Sequence, residues 1–131
     1  MTIVLIPSTG ELPDVFTSVV QQLDQPKIFA AQGSLATQIK ECEKFLDKHE
    51  LRHSVVFACR GTGAFVAQAI KQASPNRVAG IVALGYPHAA LKLPSFVFRE
   101  KKLVPQHIPV VHVADEAQML EVLAREDFRQ S

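Results

Sequence analysis

Short apolar runs alternate with amphipathic stretches along most of this chain, and that alternation restricts its fold more than any other feature. The run at 3–6 is continuously apolar and ends at Pro7, which is typical of a strand covered on both faces. Strands are predicted at 3–6, 27–31, 54–58, 78–84 and 109–114, and helices at 12–23, from Ser34 onward, at 64–73 and at 116–125. Because strands alternate with helices of roughly 10–16 residues, we predict an α/β fold with five parallel strands.

The composition limits the number of domains and the kinds of partner. A length of 131 residues suits one domain, so a single domain is predicted over 1–131. Apolar residues make up 47% of the chain and charged residues 21%, which excludes general disorder. The formal net charge is +1, so no basic field indicates a nucleic-acid partner. No apolar run reaches the roughly 18 residues of a membrane span, and none is predicted.

Neither the cysteines nor the histidines indicate a metal site. Cys42 and Cys59 fall in different predicted elements and give no disulfide framework or ligand spacing. The five histidines contain no pair with convincing metal spacing, so no metal and no cofactor are predicted. The first residues lack a basic segment and a cleavage site, so no signal peptide is expected and the expected compartment is the cytoplasm.

The most informative segment is the turn at 60–63, Arg-Gly-Thr-Gly, where a buried strand passes directly into a helix of small residues. It resembles the nucleophile elbow of the α/β-hydrolase superfamily, whose pattern is Gly-x-Ser-x-Gly. Residues 75–85 resemble the superfamily's next turn and strand, 108–113 the strand before the catalytic acid, and 3–10 the early strand with its oxyanion-hole loop. The resemblance covers most of the chain, up to Glu116.

The resemblance implies a three-layer sandwich, a minimal α/β-hydrolase-like core with strand order second, first, third, fourth, fifth. Ligands bind open α/β sheets at the carboxyl ends of the strands where the strand order reverses, here between the first and third strands. We therefore expect a ligand site formed by Ser8, Thr9, Gly10, Arg60, Gly61 and Thr62, with His88 after the fourth strand. The N–H groups of the turn and the Arg60 guanidinium would suit an anion.

The catalytic part of the resemblance is incomplete. Gly61 aligns with the serine nucleophile and has no side chain, so acyl transfer at that position is impossible. The superfamily's acid would fall near Asp115 or Glu116, and no histidine follows them. The chain is also short for this superfamily. We therefore expect a truncated, non-catalytic relative, a pseudoenzyme that binds a small anionic or acyl ligand or a protein partner.

An enzyme with a displaced nucleophile is the alternative. Cys59 lies near a helix N-terminus and beside Arg60, which would lower the pKa of its thiol, and Ser8 offers a hydroxyl in the first loop. Each residue also has a plainer interpretation. Cys59 closes a buried strand, where cysteine acts as a small hydrophobe, and Ser8 or Thr9 can cap their own loop.

The other candidates also have plainer interpretations. The glycines at 61 and 63 can serve only the sharp turn, and Arg60 can be a solvated surface residue. Asp115 fits the N-cap of the last helix, with Gln118 three residues on. His112 falls within the fifth predicted strand and is expected to be a core residue.

Residues 86–108 interrupt the alternation with Pro87, Pro94 and Pro105 and mix apolar with basic side chains. A loop of this length in a compact domain is usually functional, and the resemblance implies a cap-like insertion here. Its combination of apolar and basic side chains would suit a partner or an amphiphile. The plainer interpretation is that its aromatic residues close the local core. The fifth strand is expected to be an exposed edge, through which a homo-oligomer is possible.

Overall fold

The protein is described by a computed structural model that covers residues 1–86, 105 and 107–125. Its centre is one sheet of five parallel strands in the order β2-β1-β3-β4-β5. The strands are β1 (Thr2–Ile6), β2 (Lys27–Ile28), β3 (Val55–Arg60), β4 (Val78–Leu84) and β5 (Val111–Val113). The predicted strand number, direction and order are confirmed, and the order reverses between β1 and β3.

Helices connect the strands and cover both faces of the sheet. A 3₁₀ turn (Pro13–Phe16) leads into α1 (Thr17–Val20), and the later helices are α2 (Leu35–Lys48), α3 (Gly63–Ala73) and α4 (Glu116–Leu123). None of the helices in the described ranges is long and apolar enough to cross a membrane.

The alternation of side chains along the strands divides the core into two layers. In β3, Val55, Phe57 and Cys59 pack toward α2 and α3, whereas Val56 and Ala58 pack toward α1 and α4. All five of these side chains are fully buried. Both faces of the central strands are covered, which is why their sequences are continuously apolar rather than alternating. The result is the expected three-layer sandwich.

Two helix starts agree with the sequence. The Ser34 side chain accepts a hydrogen bond from the Thr37 N–H at 3.1 Å, and the Asp115 carboxylate accepts one from the Gln118 N–H at 2.8 Å. Gln118 Oε1 in turn accepts the Ala114 N–H at 2.7 Å. Both predicted N-caps are confirmed, because a cap is set by residues within one helical turn of it.

Other predicted bounds differ from the structure. The helix predicted at 12–23 is a 3₁₀ turn followed by a single α-helical turn, because β-branched residues at positions 15, 17, 19 and 20 favour a continuous helix poorly. Strand β2 has two residues instead of five. Strand β5 begins after Pro109, which has no N–H to donate, and has three residues.

Candidate functional site

The turn between β3 and α3 has the geometry of an elbow. Strand β3 ends at Arg60 and α3 begins at Gly63, so two residues reverse the chain. Gly61 has a φ of +50°, a left-handed conformation that side chains disfavour, and its N–H donates to the Leu84 carbonyl at 3.0 Å. The sharp turn predicted from the sequence is therefore present, and β4 holds it in place.

Gly63 lets this turn lie directly against the end of β1. A Cβ atom at position 63 would be 2.7 Å from the Ile6 carbonyl oxygen and 2.8 Å from that of Pro7. These are backbone atoms at the end of a central strand, so they cannot move aside without displacing the strand. The glycine is required for the close approach of the two loops, here called the elbow junction (residues 7–11 and 60–63).

Ser8 occupies the space in front of Gly61. A Cβ atom at position 61 would lie 2.6 Å from Ser8 Oγ and 3.0 Å from Ser8 Cβ. Gly61 itself has no side chain, and the first loop also fills the volume that a side chain there would need.

Hydroxyl groups join the two loops in one chain of hydrogen bonds. Thr62 Oγ1 donates to Thr9 Oγ1 at 2.8 Å and lies 3.1 Å from Ser8 Oγ. Because the Thr62 proton is directed at Thr9, the Ser8 hydroxyl must be the donor in its pair with Thr62. Gln38 of α2 donates to Thr9 Oγ1 at 3.2 Å and extends the network into the core. The Ser8 side chain thus bonds across the junction, and the interpretation as a local loop cap does not describe it.

Two backbone N–H groups of the elbow junction are bound by these hydroxyls. The Thr62 N–H donates to Ser8 Oγ at 3.3 Å, and the Thr9 N–H donates to Thr62 Oγ1 at 2.8 Å. In elbow hydrolases, the N–H after the nucleophile and one from the early loop stabilise the oxyanion. Here the groups at the corresponding positions have the protein's own oxygen atoms as acceptors.

Arg60 and Glu11 form an ion pair at the rim of the junction. The Nε and Nη2 atoms of Arg60 lie 3.2 Å from the two carboxylate oxygens of Glu11, and the Ser8 N–H donates to Glu11 Oε1 at 2.8 Å. Partial burial alone would raise the pKa of the Glu11 carboxyl, but the hydrogen bonds from Arg60 and Ser8 and the Arg60 charge outweigh it and lower that pKa. Arg60 is therefore held in an ion pair and is not simply a solvated surface residue. Its contact with an anionic ligand stays a prediction.

Cys59 lacks the properties expected of a displaced nucleophile. Its side chain is fully buried beneath α2 and α3, on the core side of β3. Burial, and then the charge of neighbouring Cys42, raise the pKa of the Cys59 thiol well above its ordinary value. The predicted lowering of this pKa is therefore wrong, because the side chain points into the apolar layer and away from the turn. Burial also raises the pKa of Cys42, to about 12.

The remaining candidates do not join the junction. Asp115 is exposed and its carboxylate caps α4. This hydrogen bond is structural and gives no support to a catalytic role. His112 lies in β5 as predicted but is exposed, 5.2 Å from the Tyr86 ring, so the core assignment is wrong. An edge strand as short as β5 leaves one face open.

Gly10 is exposed at the rim of the elbow junction, with a φ of +87°. His88 lies outside the described residues, as does most of 86–108.

Sequence reasoning missed Gln68, a buried polar residue of α3 that is 1% exposed. The Tyr86 hydroxyl donates to Gln68 Oε1 at 2.9 Å, and Gln68 Nε2 donates to the Ile108 carbonyl at 3.0 Å. One amide therefore binds both ends of the 86–108 segment, and we call this set the Gln68 junction. Its signal in the sequence is an uncharged polar residue within an otherwise apolar stretch of helix.

The described residues contain no cluster of three or more His, Cys, Asp or Glu side chains that could hold a metal ion. The hydroxyls of the elbow junction are a poor ligand set for a transition metal. What this site offers chemically is hydrogen bonding by hydroxyls and an ion pair.

Comparisons with known proteins bear on the fold. No protein-family model matches the sequence, and no curated protein does. A haloalkane dehalogenase from Agrobacterium tumefaciens is similar in structure, with a TM-score of 0.58, 17% identity and coverage of 77% of this chain and 40% of that one. The RedJ thioesterase from the prodiginine biosynthetic pathway in Streptomyces coelicolor has a TM-score of 0.53, 18% identity and coverage of 76% and 47%.

This chain thus matches less than half the length of either neighbour. At such low identity the similarity bears on the fold and not on the activity. Together with the five parallel strands in the order β2-β1-β3-β4-β5, this similarity shows that the chain has a minimal α/β-hydrolase-like fold.

Proposed function

We propose that this chain is a non-catalytic hydrolase-fold protein that acts by binding a small ligand or a protein partner at the elbow junction. The observation that carries the proposal is the contact between Gly61 and Ser8. The nucleophile position has no side chain, and Ser8 Oγ lies 2.6 Å from where one would begin. Acyl transfer of the elbow type needs a nucleophile at that point.

The elbow junction is the favoured place for binding because it lies at the carboxyl ends of β1 and β3, where the strand order reverses. Ser8, Thr9 and Thr62 are partly exposed there. A ligand with a carboxylate or acyl oxygen would replace Ser8 Oγ as the acceptor of the Thr62 N–H. The Thr62 N–H would then exchange its hydrogen bond to Ser8 Oγ for one to the ligand, so displacing Ser8 would cost little binding free energy.

An NMR titration tests the binding half of this proposal, with acetate as the carboxylate and benzamide as a neutral acyl compound. We expect the amide resonances of Thr9 and Thr62 to shift in a saturable way with at least one of them. The exposed Ser18 on α1 gives a matched control, since Ser18→Ala should leave the titration unchanged and Ser8→Ala should alter its affinity. Shifts spread evenly over the surface, or none, would contradict a small-ligand site here.

The alternative is an enzyme that uses Ser8, and one observation favours considering it. Ser8 Oγ lies beside the elbow apex and accepts the Thr62 N–H. Its own proton is directed at the Thr62 hydroxyl, which is not a general base. The buried Cys59 thiol is a weaker candidate still.

Activity measurements separate the two proposals. We expect no hydrolysis of p-nitrophenyl acetate or of an acyl thioester above the buffer rate, and no labelling by a fluorophosphonate. Turnover that Ser8→Ala abolishes and Ser18→Ala retains would overturn the non-catalytic proposal. Turnover lost in Cys59→Ala would assign it to the buried thiol instead.

Self-association is a separate part of the proposal. Among the described strands β5 stands at the sheet edge, and Val111 on it is 38% exposed. Pairing of this edge with a second copy would bury that side chain. Light scattering tests this self-association. A protein that stays monomeric at every accessible concentration would contradict pairing with a second copy.

A further inference from the structure

A cavity of about 320 Å³ lies at the opposite edge of the sheet from β5, between strand β2 and helix α2. Four apolar residues line it, Ile28, Phe29, Ala30 and Phe45. Three charged side chains complete the lining, Glu41, Lys44 and Lys48. We call this set the β2 groove. None of its residues belongs to the elbow junction.

Strand β2 presents backbone groups along this groove. It pairs with β1 through Lys27 and Ile28, and the Phe29 N–H donates to the Leu5 carbonyl at 2.9 Å. In a parallel pair, alternate residues direct both backbone groups to the same neighbour. Since Phe29 faces β1, the N–H and C=O of Ile28 face outward, where the described residues place no further strand.

The floor of the groove is aromatic. The Phe29 and Phe45 ring centroids are 5.3 Å apart, and Phe45 also contacts the His49 ring at 4.5 Å. Phe45 is only partly buried, so part of its apolar surface faces the cavity. A floor of this kind takes an apolar side chain and holds it against ring faces.

One face of α2 supplies the charge. Glu41, Lys44, Phe45 and Lys48 follow the spacing that places residues on a single helix face. Lys44 and Lys48 are exposed, and the contact between Lys44 and Glu41 is long at 3.8 Å. Two lysines thus line the groove against one glutamate. The rim therefore complements carboxylates.

We propose that the β2 groove binds an extended, acidic segment of another protein by strand addition to β2. The added strand bonds the outward backbone groups of Ile28, places an apolar side chain on the Phe29–Phe45 floor and directs its carboxylates at Lys44 and Lys48. A second copy docking through the same edge is disfavoured, because the two sets of lysines would face each other. This site is independent of the proposed function at the elbow junction.

Fluorescence anisotropy with the full chain tests this proposal. The probe is a fluorescein-labelled peptide of alternating valine and glutamate, and the control peptide replaces glutamate with lysine. We expect saturable binding of the acidic peptide only. The double variant K44E/K48E should weaken it by about tenfold or more, as expected for two exposed charge pairs turned repulsive. Phe45→Ala should weaken it as well.

A matched variant separates site-specific binding from general charge attraction. R125E reverses one charge, half of the change in K44E/K48E, just beyond α4 on the opposite face of the sheet, and should leave affinity unchanged. On binding, the Ile28 amide should become protected from hydrogen exchange. Equal loss in R125E, equal binding of the lysine peptide, an unprotected Ile28 amide, or self-association through this edge would each overturn the proposal. Circular dichroism establishes that each variant is folded.

Discussion

The elbow junction and the Gln68 junction both tie loops to the sheet, but they do so in opposite ways. At the elbow junction the loops can approach closely because Gly61 and Gly63 have no Cβ, and the neighbouring atoms would leave no room for one. At the Gln68 junction two chain segments meet because one side chain is present and bonds both. The first arrangement excludes substitution by geometry, whereas the second depends on a single pair of hydrogen bonds. We therefore expect changes at the two glycines to cost more stability than changes at the amide.

Gly63→Ala should produce the largest loss. The new Cβ would lie within 2.8 Å of two backbone oxygens at the end of β1, and relief requires β1 and α3 to separate. We expect a loss of about 3 kcal/mol in the free energy of unfolding, measured by urea denaturation. Gly10→Ala is the control, because nothing lies within 4 Å of its Cβ position and only its φ of +87° is strained. An equal loss in the two variants would contradict the close approach.

Gly61→Ala should rank second, with a loss of about 2 kcal/mol from backbone strain and the contact with Ser8. The contact is with a side chain, so a second change can remove it. Ser8→Gly in the same chain should restore about 1 kcal/mol, and the strain at a φ of +50° should remain. A double-mutant cycle in urea measures this coupling. Strict additivity would show that Ser8 does not fill the space in front of Gly61.

Gln68→Met tests the other junction. It keeps the volume of the side chain but removes the donor to the Ile108 carbonyl and the acceptor of the Tyr86 hydroxyl. We expect a loss of about 1–2 kcal/mol in the free energy of unfolding. Tyr86→Phe removes one of the two bonds and should cost less. A larger loss from Tyr86→Phe would mean that the amide is not the centre of the junction.

Glu11→Gln should have the smallest effect, below about 1 kcal/mol, because the ion pair with Arg60 is partly exposed. The pKa of Glu11 is lowered in the folded state, so its stabilisation is present above the ordinary carboxyl pKa and is lost as the pH falls through the lowered value. The stability difference between wild type and variant should therefore shrink in acid. Urea midpoints at neutral and acidic pH measure it, with exposed Glu121→Gln as the control. A difference that grows in acid would contradict the ion pair.

Local patterns in the sequence explain what could be predicted. The N-caps at Ser34 and Asp115 depend on partners three residues away, and the order of elements depends on runs of apolar residues. The fold class followed from these patterns, and the strand order from the resemblance of the segment at 60–63 to an elbow. The lack of a side chain at position 61 also followed directly from the sequence, because the residue is glycine.

Contacts between distant positions could not be predicted. Arg60 meets Glu11 across 49 positions, and Thr62 meets Ser8 across 54. Gln68 bonds Tyr86 and Ile108, which are 18 and 40 positions away. The Cys59 side chain was assigned a low pKa from its neighbours in sequence, whereas its pKa follows from the layer into which its strand turns it.

The sequence by itself determined an α/β fold with five parallel strands, two capped helices and a turn after β3 that has glycine at position 61. Only the tertiary structure decided that Ser8 fills the space at Gly61, that hydroxyls accept the elbow N–H groups, and that one buried amide binds two distant segments. The physical reason is range. Propensity, capping and apolar periodicity act within a few residues, whereas the partner of a polar group at a strand end is chosen by the packing of the whole sheet.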